Sequence, residues 1–198
     1  MNQSASDEET MARLAAGHDP ALAELMGRWE GPIWCFIDRM CGNSAGTDDV
    51  YQEVWTRLYQ YRKRYRPGRP FRSYLFAIAV NCCRTALKRG AQGRGMFISL
   101  GDVPARASGE TGPDETLVEA EQRQRLLDAV RRLPDQQRAV VLLYLLYHTD
   151  YGKIAQVTGK SAGTVRSHMH HALVRLRAAL TKVRAAEEGK VDHERQLH

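Results

Sequence analysis

The chain has no apolar run long enough to span a bilayer. Its longest apolar stretches, such as Ala139 to Tyr147, fall far short of the roughly 20 residues a spanning helix needs. It has no Cys-x-x-Cys pair: the cysteines are Cys35, Cys41, Cys82 and Cys83, the last two adjacent. That spacing excludes the common zinc sites and a secreted disulfide framework, and reduced thiols packed in helices are expected instead. There is no Gly-rich phosphate loop, metal triad or nucleophile constellation, so no catalytic residue, metal ligand or cofactor is expected, and the chain reads as not an enzyme. The N-terminus, MNQSASDEET, is polar and acidic, which is unlike a secretory signal. A cytoplasmic protein without membrane insertion follows. Strand signals are also lacking.

Acidic residues are missing from two long intervals. No Asp or Glu occurs between Glu53 and Asp102, an interval holding 11 of the chain's 29 Lys and Arg residues, nor between Tyr151 and Ala186. With a formal net charge of +6, this favours a polyanionic partner. Hydrophobic content of 43% and charged content of 26% describe a globular rather than a disordered chain, and 198 residues allow one or two domains.

Periodicity predicts helices throughout. A short one covers Thr10 to Ala16. Another covers Ala21 to Met40, with Gly31-Pro32 as a candidate kink. A third is capped by Thr47 or Asp48 and runs to about Tyr61. A fourth covers Phe71 to Arg89, after a loop from Arg64 to Pro70. Residues 91–113, with five Gly and two Pro, lack sustained periodicity and read as a flexible linker. Helices resume near Asp114 and again at Pro134. The expected fold is therefore all-α: two small helical domains, residues 1–90 and 114–185, on a tether, followed by a frayed polar tail, 186–198.

The segment Tyr151 to Leu176 reads as a helix-turn-helix, whose second helix is built to enter a DNA major groove. Gly159 can take the left-handed conformation that reverses the chain, and Ser161 is a good N-cap. Ile154, Val157, Val165, Met169, Leu173 and Leu176 sit at helical spacing and are expected to form its small core. The candidate duplex-DNA residues are Lys160, Ser161, Thr164, Arg166, Ser167, His170, His171 and Arg175. His168, His170 and His171 point in different directions and have no Cys or carboxylate nearby, so they read as polar or DNA-facing positions rather than metal ligands.

In the first half, cations alternate with Trp55, Tyr59, Tyr61, Tyr65, Phe71, Tyr74 and Phe76. Cations neutralise phosphates and exposed rings stack on unpaired bases, a combination suited to melted DNA and equally to a generic RNA-binding surface, although several of these rings, Phe71 and Trp55 especially, must be core. The candidates for the melted strand are Tyr65, Arg72, Asn81, Arg84 and Lys88. Just before them, Asp48, Asp49, Gln52 and Glu53 form a polar helix face that is either solvated or a protein contact.

With both halves read, the chain resembles the extracytoplasmic-function (ECF) sigma factors of bacterial RNA polymerase, from about Asp19 to Arg184. Asp48-Asp49-Val50-Tyr51-Gln52-Glu53-Val54-Trp55 looks like the family's acidic helix, and Phe71 to Asn81 like its "F-R-x-W-L-x-x-I-A-x-N" helix, with Tyr74 where Trp is usual. Leu133-Pro134-Asp135-Gln136-Gln137-Arg138 matches "L-P-x-x-x-R". Gly163-Thr164-Val165-Arg166-Ser167 matches "G-T-V-K-S", and His168 stands where Arg is common. The resemblance implies that Asp48, Asp49, Gln52 and Glu53 dock on the clamp of core polymerase's largest subunit. It implies that the Phe71–Asn81 helix opens and reads the promoter element nearest the start site, and that the Gly163 helix reads the upstream element. The partners are then core RNA polymerase and promoter DNA, with an anti-sigma factor as a further one. The alternative is a stand-alone regulator, because Val165-Arg166-Ser167-His168 also looks like the recognition helix of LuxR-type activators. That reading leaves the first domain unexplained.

Overall fold

The computed structural model describes residues 5–42, 46–92 and 117–195. Among them are eight α-helices and one short 3-10 turn, with no strand, so the all-α expectation holds. No helix of the described residues is long and apolar enough to cross a membrane.

Helix α1 (Asp7–Ala15) starts three residues before the predicted position, because Ser6 and Glu9 form a capping box that the hydrophobic pattern did not reveal. The Ser6 hydroxyl accepts from the Glu9 N–H at 3.2 Å, and the Glu9 carboxylate accepts from the Ser6 N–H at 2.8 Å. The same turn anchors its neighbours. Asp7 pairs with Arg28 at 3.0 Å and accepts from the Trp29 indole at 2.9 Å, while Glu8 accepts from the Phe71 N–H at 2.9 Å.

Helix α2 (Pro20–Cys41) runs through Pro32 and stops at Gly42, whose φ of 80° is the left-handed conformation that ends helices at low cost in glycine. Helix α3 (Thr47–Gln60) is capped by neither Thr47 nor Asp48. Its N-cap is Gly46, and Thr47 is buried with an unpartnered hydroxyl. A 3-10 turn (Arg62–Arg64) leads to α4 (Phe71–Gln92). Trp29, Phe36, Phe71 and Phe76 form an edge-to-face cluster with centroids 5.2–6.1 Å apart, which fixes α2 against α4.

Helices α5 (Leu117–Arg131), α6 (Asp135–Tyr147), α7 (Tyr151–Thr158) and α8 (Ala162–Arg195) build the second half. At their centre is Arg138, nine-tenths buried, with burial depressing its pKa. Its guanidinium donates to the Leu133 carbonyl at 3.0 Å and to that of Arg131, closing the α5–α6 turn, and to the Met40 carbonyl of α2 at 2.5 Å. The two halves are therefore in contact, along α2–α6 and α4–α7. Within the described residues the two halves pack against each other.

Two expectations change, and one lies almost wholly outside the described residues. The proposed linker 91–113 lies outside the described residues except for Ala91 and Gln92, which continue α4. The tail is helical as far as Arg195 rather than frayed from Ala186; residues 196–198 lie outside the description. The helix-turn-helix core uses Ala172, fully buried, while Leu173 is 46% exposed. The buried stripe of α8 is Val165, Met169, Ala172 and Leu176, and position 173, about 100° on from Ala172, lies at its edge.

All four cysteines are free thiols. Cys83 is buried beside Cys41, and that neighbour together with burial holds its proton far above the usual thiol range. The same pairing draws Cys41 down, assisted by the Arg138 charge. Burial pushes Cys82 up to about 11. Alkylation of the folded chain at pH 8 is therefore expected to label Cys41 ahead of Cys82 and Cys83, which react only on unfolding. Cys83 labelling as fast as Cys41, read by peptide mass, would contradict this packing. Because the folded chain keeps the Cys82 proton between pH 9 and 11 and the unfolded chain loses it, this thiol makes stability fall as pH rises through that window.

Candidate nucleic-acid interface

The helix-turn-helix is assembled from local chemistry. Asp150 caps α7, accepting from the Lys153 N–H at 2.9 Å, and that bond is the first cause of its lowered pKa. Gly159, with φ of 65°, ends α7, and the Lys160 N–H returns to the Ala155 carbonyl at 3.1 Å. Ser161 then opens α8, its hydroxyl accepting from the Thr164 N–H at 3.1 Å and lying 2.9 Å from the Thr164 hydroxyl. Ser161 and Thr164 are thus occupied in capping. At about 100° per residue, Ser167, His170 and His171 lie opposite the buried stripe of α8, with Arg166 and Arg175 flanking them. All five are exposed. The His170 and His171 rings meet edge to face at 5.6 Å. His168 is half-buried beside Lys160, and its pKa is lowered first by burial and then by the Lys160 and His171 charges.

The melted-strand candidates divide. Asn81, Arg84 and Lys88 follow one another at helical spacing on α4; Asn81 and Lys88 are exposed and Arg84 is half-buried. Arg72, nine residues before Asn81, falls on the opposite side of the helix, at the junction with the second half. Tyr65 does not join the exposed set. It is 7% exposed, its ring lies 5.2 Å from that of Tyr74, and its hydroxyl donates to the Arg69 carbonyl. Burial raises the pKa of both tyrosines.

The expected platform of exposed rings is largely absent. Trp55, Tyr65, Phe71, Tyr74 and Phe76 are all buried, which leaves Tyr61 exposed and Tyr59 half-buried. Even these carry arginines: Arg62 lies 3.9 Å over Tyr59 and Arg64 lies 4.8 Å over Tyr61. Composition could not separate rings that complete a core from rings offered to a base. Tyr61 was counted among the interleaved rings but not among the melted-strand candidates, and its place just beyond the end of the α3 apolar stripe was the available signal.

Asp48, Asp49, Gln52 and Glu53 form one exposed stripe on the first turns of α3. Asp48 accepts from the Trp34 indole at 3.4 Å, and Glu53 pairs with Arg57 at 2.5 Å. Trp34, from α2, was not anticipated at this face.

Similarity to known proteins covers both halves. Residues 25–93 match the family model for Sigma-70 region 2, and residues 123–176 match that for Sigma-70, region 4. The ECF RNA polymerase sigma factor SigD of Mycobacterium tuberculosis is 30% identical over 179 residues, covering 86% of this chain and 82% of SigD. RNA polymerase sigma factor CarQ of Myxococcus xanthus is 30% identical over 170 residues, covering 86% of this chain and 95% of CarQ. In fold, the chain is similar to sigma factor RpoE of Bartonella quintana, solved with the anti-sigma factor NepR. There the TM-score is 0.62 at 21% identity, covering 80% of this chain and 96% of RpoE. These matches do not favour a LuxR-type regulator, for which the first half would have no role. With an acidic face on α3, a cationic stripe on α4 and a helix-turn-helix following in that order, the chain belongs to the ECF sigma factors of RNA polymerase.

Proposed function

We propose that this sigma factor is a dissociable, non-enzymatic specificity subunit, acting in the cytoplasm, that holds core polymerase and two parts of a promoter at once. The α3 face of Asp48, Asp49, Gln52 and Glu53 binds core polymerase. Asn81, Arg84 and Lys88, joined by Arg72, hold the melted non-template strand. The Arg166 face of α8, with Lys160 at its turn, reads the upstream duplex. Residues 1–90 and 114–185 divide these tasks as two domains, and the segment between them raises the effective concentration of the second contact once the first has formed. An anti-sigma factor is a further proposed partner, supported by a protein of the same fold being solved with one.

The observation that carries this reading is the separation of the charged faces: an acidic stripe on α3 and cationic ones on α4 and α8, each on its own helix. Because so few rings are free, the melted strand is held mainly through phosphates and the Asn81 amide, which offers both donor and acceptor to a base edge. Binding of single strands should accordingly weaken steeply with salt.

The test is run-off transcription with core polymerase on a promoter pool, followed by Asn81→Ala on the promoter it selects. The variant should keep polymerase binding and closed-complex formation, lose permanganate-reactive open complex, and be partly rescued on a pre-melted bubble template. A defect equally severe on the bubble would assign Asn81 to folding or docking instead.

A further inference from the structure

Helix α4, which carries Asn81, Arg84 and Lys88, follows a residue that cannot cap it. The first N–H groups of a helix have no acceptor within it, and the residue just before normally supplies a side-chain oxygen. Before Phe71 stands Pro70, whose ring holds no acceptor, and the first turn of α4 contains no acidic residue. The acceptor comes from far away in the chain. The Glu8 carboxylate of α1 takes the Phe71 N–H at 2.9 Å, across a separation of 63 residues. Asp7, beside it, accepts from the Trp29 indole at 2.9 Å, and the Trp29 ring meets that of Phe71 edge to face at 6.0 Å. These contacts close a circuit through two adjacent acids on α1, one ring on α2 and the first residue of α4. The segment before Pro70 is tied in at the same place. Tyr65 donates its hydroxyl to the Arg69 carbonyl, its ring lies 5.2 Å from that of Tyr74, and the Tyr74 hydroxyl donates to the Tyr61 carbonyl at 3.2 Å. The Glu8 charge reaches this segment: after burial, it is the next cause of the raised Tyr65 pKa. While Tyr65 is held inward, Lys63, Arg64, Arg66 and Arg69 are exposed.

We propose that α1 is a latch on the strand-holding helix and that Glu8 is a positioning residue, which fixes the first turn of α4 and the cationic residues 62–70 before it in the arrangement that receives melted strand. The inference rests on the assignment of α4 to that strand. The residues matched to Sigma-70 region 2 begin at position 25, after α1 has ended at Ala15, so that match assigns α1 no role. The physical case is preorganisation. A helix end that frays spreads its cations over many arrangements, and all but one must be given up when a strand is bound. Glu8 reduces that loss in two ways. It pairs an N–H that fraying would return to water, and its negative charge meets the positive end of the α4 dipole. Phosphates repel a carboxylate, so Glu8 acts through Phe71 and not by touching DNA. The latch is separable from the fold of α1. Ser6 and Glu9 cap that helix and Asp7 pairs with Arg28 at 3.0 Å, and none of these contacts uses Glu8.

The experiment uses the full chain in holoenzyme reconstituted with core polymerase. Glu8→Ala removes the acceptor, and Glu8→Gln keeps an acceptor oxygen without the charge. The readouts are anisotropy of a labelled single-stranded non-template oligonucleotide and permanganate reactivity of a duplex promoter. Glu8→Ala should weaken strand binding and lower the yield of open complex roughly three- to tenfold, the scale of one lost cap. Affinity for core polymerase and closed-complex formation should keep their wild-type values, and Glu8→Gln should recover most of the strand binding. Wild-type strand binding by Glu8→Ala overturns the proposal, as does a Glu8→Gln defect as deep as that of alanine. Loss of polymerase binding or of closed complex alongside strand binding also overturns it, because Glu8 then serves the fold alone. Asn81→Ala keeps this inference apart from the reading beneath it. If Asn81→Ala loses open complex and Glu8→Ala does not, the strand face of α4 stands and the latch falls. If neither variant loses it, the strand assignment of α4 fails and the latch falls with it.

Discussion

Arg138→Ala is expected to lower stability by about 2–4 kcal/mol, which is a fall in Tm of roughly 4–16 °C. The reason is that one buried guanidinium serves carbonyls from three places: Arg131 and Leu133, which close the α5–α6 turn, and Met40, at the end of α2. Removing the side chain leaves those oxygens unpaired in the interior and opens a void where the stem packed. The loss is less than three charged hydrogen bonds would give separately. Burial already disfavours the cation, and its Nε has no partner. Arg138→Lys should recover only part of the loss, because a single ammonium cannot span carbonyls that a planar fork reaches together. Thermal unfolding followed by circular dichroism is the measurement. A Tm within about 1 °C of wild type would show that the arginine is not the tie its geometry describes.

The second large effect concerns polymerase. Reversing Asp49 and Glu53 to Lys should weaken binding to core enzyme by roughly tenfold or more, about 1.4 kcal/mol, measured by competition or surface capture. The cost to the fold is small. Both side chains are exposed. Losing Asp49 from the first turn of α3 forfeits ~0.3–1 kcal/mol of helix-dipole interaction. Turning the Glu53–Arg57 pair at 2.5 Å into a like-charge pair costs ~0.2–0.5 kcal/mol. A chain that keeps its helical signal and its DNA binding but loses core polymerase locates the docking face on α3. Unchanged core affinity would move that face elsewhere and remove the family-derived role of these residues.

The legible features of this chain were local ones. Gly159, Ser161 and the apolar spacing around Ile154 and Val165 determined a helix-turn-helix from a few adjacent residues, because turn conformation, capping and helical periodicity depend on near neighbours. The acid-free intervals determined a polyanionic partner in the same way, since charge needs no fold to be counted. The order of the motifs determined the family. What the sequence could not assign was which member of an amphipathic pair turns inward. Ala172 rather than Leu173 fills the core of α8, and Tyr65 and Tyr74 pack together while Tyr61 stays outside. These choices follow from the angle at which one helix meets another. Thr47 failed as a cap for a related reason: its side chain was taken into the core, leaving Gly46 to begin α3. The sequence by itself determined the elements, their charge and the family. Only the tertiary structure decided that Arg138 joins the two halves, and that α4 meets the helix-turn-helix, because burial is a property of pairs of surfaces and no single segment carries it.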